Sequence, residues 1–224
     1  MAASISMPAA LSPETLAHAG VMDRVYRRQR HIYDVTRKYY LFGRDRLIGE
    51  LALGPSESLV EVGCGTARNL LAIARRYPGA RLFGLDASQA MLETARAAVG
   101  RAGMGARITL AQGLAEELSP ACFGVAHFDR VLFSYSLSMI PDWQGALAAS
   151  SAALAPGGST HVVDFGDLTG LGSIGEHAMR AWLALFHVTP RVEFLAQLEQ
   201  VARNRGALTL LPGRYAFIFS DKKL

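Results

Sequence analysis

Cysteine is nearly missing from this chain of 224 residues, which holds only Cys64 and Cys122. Two thiols so far apart supply neither a disulfide framework nor a zinc site, so no metal is expected. Long apolar runs are missing too: none reaches the ~18 residues that cross a bilayer. The opening stretch Met1–Ala10 carries Pro8 and no basic residue, so it lacks the charged start and apolar middle of a signal peptide. Residues 1–20 are expected to be a flexible start, and the protein to be cytoplasmic. Repeats, low-complexity tracts and interdomain linkers are also absent. With 50% hydrophobic and 19% charged residues, the composition excludes a disordered chain and fits one domain, 21–224, with a well-buried core.

Acidic residues are outnumbered, 19 against 23 Lys and Arg, for a net charge of +4. The excess is local. Arg24, Arg27, Arg28, Arg30, Arg37, Lys38, Arg44 and Arg46 crowd a stretch whose acids are Asp23, Asp34 and Asp45. Such a cluster suits nucleic acid, an anionic membrane surface, or a solvated helix face. There is no aromatic RNA-binding motif, so nucleic acid is not the expected partner. In the same stretch Tyr26, Tyr33, Tyr40 and Leu47 recur at heptad spacing, with Met22, Val25, Ile32 and Tyr39 close to that side. This pattern predicts a helix over 22–42, broken at Gly43, then a short helix to Leu53. A turn follows at Gly54-Pro55.

Beyond that turn the chain alternates. Apolar strands are predicted at Ser58–Val62, Arg81–Leu85, Arg107–Ala111, Phe128–Ser134 and Gly158–Phe165. Helices are predicted at Asn69–Tyr77, Ser88–Gly100, Asp142–Leu154, Glu176–His187 and Arg191–Asn204. Alternation of this kind builds a parallel sheet covered on both faces. The end differs: Ala207–Leu211, Pro212-Gly213 and Arg214–Ser220 read as a hairpin.

The strongest chemical signal is Leu59-Val60-Glu61-Val62-Gly63-Cys64-Gly65-Thr66-Ala67-Arg68, a strand, a glycine turn and a helix start. Glycines let a backbone approach a ligand, and a helix start offers free N–H groups. A dinucleotide loop needs G-x-G-x-x-G; Arg68 stands at its third glycine and argues against NAD or FAD. The loop instead resembles the E/D-x-G-x-G-x-G motif of class I methyltransferases, which bind S-adenosylmethionine, with Ala67 for the last glycine. Asp86, ending the second strand, stands where a carboxylate accepts from the ribose hydroxyls, or else caps the next helix. Asp86-Ala87-Ser88-Gln89-Ala90-Met91-Leu92 resembles the family's D-x-S-x-x-M-L segment, implying that Ala87 and Met91 flank the adenine.

Where the family often carries G-D-A, this chain has Gln112-Gly113-Leu114, so backbone groups near Gly113 and Leu114, helped by Gln112, are expected to read the adenine. Phe128-Asp129-Arg130-Val131 resembles the fourth-strand motif, and Leu154-Ala155-Pro156-Gly157-Gly158 the turn before strand five. The resemblance implies a Rossmann-like α/β fold over 54–224 with a mostly parallel seven-stranded sheet, an antiparallel C-terminal hairpin and a helical cap at 21–53. It also implies a cofactor site of Glu61, Gly63, Cys64, Gly65, Asp86, Ala87, Met91, Gly113, Leu114 and Ser134.

From Met22 to Arg46 the sequence resembles the start of the bacterial betaine-lipid N-methyltransferases, which trimethylate the amine of diacylglycerylhomoserine. Ser134–Pro141 and Val163-Asp164-Phe165-Gly166-Asp167 resemble that family as well. This implies a lipid amine substrate and peripheral contact with the inner membrane face through the basic start. Tyrosine faces suit the cation formed by repeated methylation, so Tyr33, Tyr40 and Tyr135 are the pocket candidates. Arg46, counted with the cofactor site, and Arg37 or Lys38 are the candidate partners for the carboxylates of S-adenosylmethionine and of the homoserine. His31, His161 and His177 carry no motif that marks a base, and Asp164 either faces the site's mouth or caps the next segment. Two other readings stand beside this one: a quinone-biosynthesis C-methyltransferase, which shares the Tyr33-Asp34 and Leu41–Arg46 patterns, and a non-catalytic S-adenosylmethionine-binding or RNA-binding module.

Overall fold

A computed structural model describes residues 41–185, 188, 190, 192–204 and 206–222. The predicted helix at 22–42, the flexible start, and the candidates Tyr33, Tyr40, Arg37 and Lys38 lie outside the described residues, apart from Leu41 and Phe42.

The first described helix, α1, is Arg44–Glu50. Strand β1, Ser58–Val62, leads into α2, Arg68–Arg76, and β2, Arg81–Asp86, into α3, Gln89–Arg101. Then come β3, Ile108–Gln112, β4, Phe128–Ser134, and α4, Trp143–Ala153. The chain closes with β5, Leu154–Phe165, α5, Gly172–Ala184, α6, Val192–Asn204, β6, Gly206–Leu210, and β7, Ala216–Lys222.

The strands form one seven-stranded sheet in the order β3-β2-β1-β4-β5-β7-β6. Strands β1 to β5 run parallel, with Val60 against Phe83 on one side and Val131 on the other. Only β7 is reversed, pairing Ile218 with Val163 of β5 and Phe219 with Leu208 of β6. This is the predicted Rossmann-like methyltransferase fold, mostly parallel with antiparallel C-terminal strands.

The pattern of burial explains the order. Every residue of β1 is buried, Ser58 and Glu61 included, as a central strand covered on both faces requires. One face carries α1, α2, α3 and α5, which bury Leu47, Leu70, Leu92 and Leu183 in a common core. The other face carries α4 and α6, with Ala146, Phe194 and Leu198 against Phe133 and Phe217. Such two-sided cover leaves the C-terminal ends of the parallel strands as the edge where loops can host a ligand. Local caps fix the helices on that edge: the Ser88 hydroxyl accepts from the Met91 N–H at 3.3 Å, and Asp142 accepts from the Gly145 N–H at 2.9 Å.

Two boundaries differ from expectation by four residues. Strand β5 begins at Leu154, because Phe128 pairs with Leu154 and Arg130 with Ser159, so Pro156 and Gly157 bulge out of a continuing strand. Helix α5 begins at Gly172, four residues before the predicted start, and no side-chain cap marks it.

Candidate active site

Strand β1 ends at Val62, and the chain must then turn beneath its neighbours. Gly63 has φ +74°, and a Cβ there would lie 2.6 Å from Ser136 Cβ, so only glycine fits. The Gly63 and Cys64 N–H groups donate to the Leu85 carbonyl at 2.8 and 3.0 Å. Ala67, which stands where the motif has its last glycine, has φ 61° and is fully buried. The last position of the motif thus takes a left-handed backbone, and alanine holds it at a cost of about 1–2 kcal/mol.

Asp86 ties this loop to the rest of the edge. Its Oδ2 accepts from the Gly65 N–H at 2.7 Å, and its Oδ1 accepts from the Ser88 N–H at 2.9 Å. The Gly113 N–H donates to the Asp86 carbonyl at 3.1 Å. Ser88, not Asp86, caps α3. These bonds hold the carboxylate in the wall of the cleft described below, a placement that suits a ligand's vicinal hydroxyls. Gln112 donates its amide to the Ala87 carbonyl at 3.1 Å and so helps position that segment.

A cleft of about 780 Å³ opens over this edge, and its walls include Gly63, Gly65, Asp86, Ala87, Met91, Gly113, Leu114 and Tyr135. An adjoining cleft of about 400 Å³ shares Gly63 and brings in Glu61, Cys64, Ser134 and Arg44. The two clefts together gather the described residues expected to hold a cofactor, except Arg46. The Arg46 guanidinium bonds Glu50 at 2.8 Å and is 51% exposed. Two positions along a helix is about 200°, so with Arg44 turned to the cleft, Arg46 must turn away. Arg44 and Arg68 are the cations that line the adjoining cleft, neither of them a candidate from the sequence, and for Arg44 helix phase was the signal that marks it.

Two predicted cofactor residues shape the loop from below. Glu61 is buried and accepts from the Asn69 amide at 2.7 Å, joining β1 to α2. The Cys64 thiol is held protonated by burial and by the charges of Asp86 and Glu61, which push its pKa well up. It sits against β2, where a Cβ at Gly84 would lie 2.8 Å from its Sγ.

Tyr135 follows β4 with φ 55°, a strained conformation for a bulky residue. Its hydroxyl donates to the Phe42 carbonyl at 2.6 Å, and its ring meets Phe165 edge-on at 4.7 Å. Burial pushes its pKa far up, with the nearby Tyr215 and Asp164 adding to the rise. The loop beyond is fastened on both flanks: the Ser136 hydroxyl donates to the Val62 carbonyl at 2.8 Å, and the Ser138 N–H to Asp164 Oδ2 at 3.0 Å. Asp164 therefore lies beneath the loop, neither at the mouth nor capping a helix, and burial raises its pKa to about 6 against the pull of those donors. His161 is buried beside Ser159 Oγ at 2.8 Å and lines neither cleft, and burial lowers its pKa to about 4.

Residues 59–158 match the family described as methyltransferase domain. This stretch contains the glycine loop, Asp86 and the loop after β4. The chain is 33% identical over 143 residues to the ubiquinone/menaquinone biosynthesis C-methyltransferase UbiE of Syntrophotalea carbinolica, covering 61% of this chain and 58% of that protein. It is 33% identical over 112 residues to trans-aconitate 2-methyltransferase of Delftia acidovorans, covering 50% and 39%. The chain thus spans under two thirds of the curated relatives it matches. The S-adenosylmethionine-dependent methyltransferase SibL, solved in its apo form, superimposes with a TM-score of 0.66 at 23% identity, over 86% of this chain and 57% of that one. That likeness is one of fold. Among the described residues no cluster could hold a metal, and no helix is long and apolar enough to cross a membrane.

Proposed function

We propose that this chain is an S-adenosylmethionine-dependent methyltransferase whose acceptor is the amine of a lipid headgroup, of the diacylglycerylhomoserine type. The observation that carries the cofactor reading is Asp86: a carboxylate at the C-terminal end of β2, held by the Gly65 N–H of the glycine loop and lining the cleft. The glycine turn at Gly63, packed closely on Ser136, and the apolar pair Met91 and Leu114 line the same cleft and fit the same ligand.

When bound, the cofactor supplies a sulfonium methyl group for attack by a nucleophile. The chain's own part is to hold, orient and exclude water. Arg44, at the adjoining cleft, is a partner for the cofactor's carboxylate. Tyr135 walls the cleft with its ring, while its hydroxyl remains bonded to Phe42. The buried Asp164 is sealed by its N–H donors. Neither group is placed to take a proton from the acceptor, so an amine that arrives already deprotonated suits the site.

The acceptor class rests on the resemblance of residues 22–46 and 134–141 to the betaine-lipid enzymes. The basic cluster in the first of these suits anionic headgroups. A second reading, methylation of a quinone ring carbon, is favoured by the relative from quinone biosynthesis. Mass spectrometry separates them. Purified protein and methyl-labelled cofactor are incubated with vesicles of diacylglycerylhomoserine or with a demethylated quinone. Stepwise gain of one, two and three labelled methyls on the amine is expected. One labelled methyl on the ring and none on the amine would replace the first reading with the second, and no gain on either would discard both acceptors.

A further inference from the structure

The adenine end of the cleft poses a chemical question. A purine amine needs an acceptor, and the residue that supplies it in the family pattern, the acid after the glycine that follows strand three, is Leu114 here. A leucine buries its side chain against the ring and offers no acceptor. Yet the wall does not end at Leu114. The chain continues into a short 3₁₀ turn, Ala115–Glu117, and both Ala115 and Glu116 line the same cleft as Asp86, Met91 and Gly113.

Glu116 is half-buried in that wall. Among the described residues its carboxylate has no hydrogen-bond or ion-pair partner. Its neighbour Glu117 is exposed and does not line the cleft, so the turn divides two consecutive acids between solvent and the site. A carboxylate on the cleft wall loses part of its hydration, and a ligand N–H that bonds it restores the loss. The other polar groups near it are committed: the Gly113 N–H donates to Asp86, and the Gln112 amide to Ala87.

We infer that Glu116 is the residue that selects adenine, accepting a hydrogen bond from the exocyclic amine and so replacing, from two positions further along, the acid that Leu114 displaces. The inference rests on the cofactor reading above. It assigns Leu114 the apolar contact with the ring and Glu116 the polar one.

The test compares two ligands on one protein at a time. S-adenosylhomocysteine is set against the analogue whose purine carries hydrogen in place of the 6-amino group, by calorimetry. The wild-type protein is expected to prefer the adenine ligand roughly tenfold to hundredfold, the range of a hydrogen bond to a charged acceptor. In Glu116→Ala that ratio falls to near one, and adding Leu114→Asp to the same protein restores most of it. Because each ratio is taken within one protein, a general loss of stability cancels. An undiminished preference in Glu116→Ala overturns the assignment. If the wild-type protein binds neither ligand, the cofactor reading itself fails and this inference falls with it; tight binding of both with equal affinity overturns the assignment alone.

Discussion

At the scale of single residues, the site divides into groups that touch a ligand and groups that hold those groups still. In the proposed function Asp86 does both. Replacing it with alanine removes the acceptor for the Gly65 and Ser88 N–H groups as well as the proposed ribose contact. S-adenosylhomocysteine binding is expected to weaken at least tenfold, and roughly hundredfold if both effects add, as calorimetry would measure. Tyr135 is the opposite case. Its hydroxyl is spent on the Phe42 carbonyl at 2.6 Å. Tyr135→Phe is therefore expected to cost about 1 kcal/mol of stability and to leave kcat within a few-fold of wild type. A thousandfold fall in kcat with binding intact would place the phenol in the chemistry after all. Residue identity alone suggested a pocket tyrosine; what it did not carry was the left-handed backbone that turns the ring into the wall.

At the scale of elements, most of the frame was legible because each strand and helix obeys its own period. The central strands are apolar throughout, and Ser88 and Asp142 announce the helices that they cap. Legibility failed where pairing overrides local signals. Leu154–Gly158 reads as a turn, yet the neighbouring Phe128 recruits Leu154 into β5 across a bulge. Arg44 and Arg46 are alike in sequence, and only the phase of α1 sends one to the cleft and the other to Glu50. The loop after β4 belongs here too, since its position depends on Asp164 of β5. Burial raises the folded pKa of that carboxyl to about 6, above an unfolded value near 4. The protonated form is thus the one the fold favours. Its contribution to stability is fully present below about pH 4 and is lost as pH rises through about 6. Asp164→Asn keeps an acceptor oxygen for the Ser138 N–H and cannot ionise. Between pH 4 and pH 6 the wild type should lose stability relative to this variant, measured by urea unfolding at each pH. A difference that stays constant across that window would mean Asp164 is ionised at no cost.

At the scale of the whole molecule, the two layers of helices and the sheet leave one edge open, and the segments along it are joined chiefly through hydrogen bonds to each other. Gly65 reaches Asp86, Gly113 reaches Asp86, Ser136 reaches Val62, and Ser138 reaches Asp164. A ligand seated among them binds the folded chain and has no site in the unfolded one, so it must raise the unfolding temperature. At a hundred times its dissociation constant the gain is about 2.7 kcal/mol. For a domain of this size that is roughly 5–10 °C. S-adenosylhomocysteine is expected to produce such a shift in the wild type. Gly63→Ala is the control that localises it. The new Cβ would fall 2.6 Å from Ser136 Cβ at φ +74°, so the loop has to move. Its unfolding temperature should start lower, and the ligand should raise it little. An equal rise in both proteins would put the ligand away from the glycine loop. No rise in the wild type would remove the cofactor from the account and leave the fold standing without it.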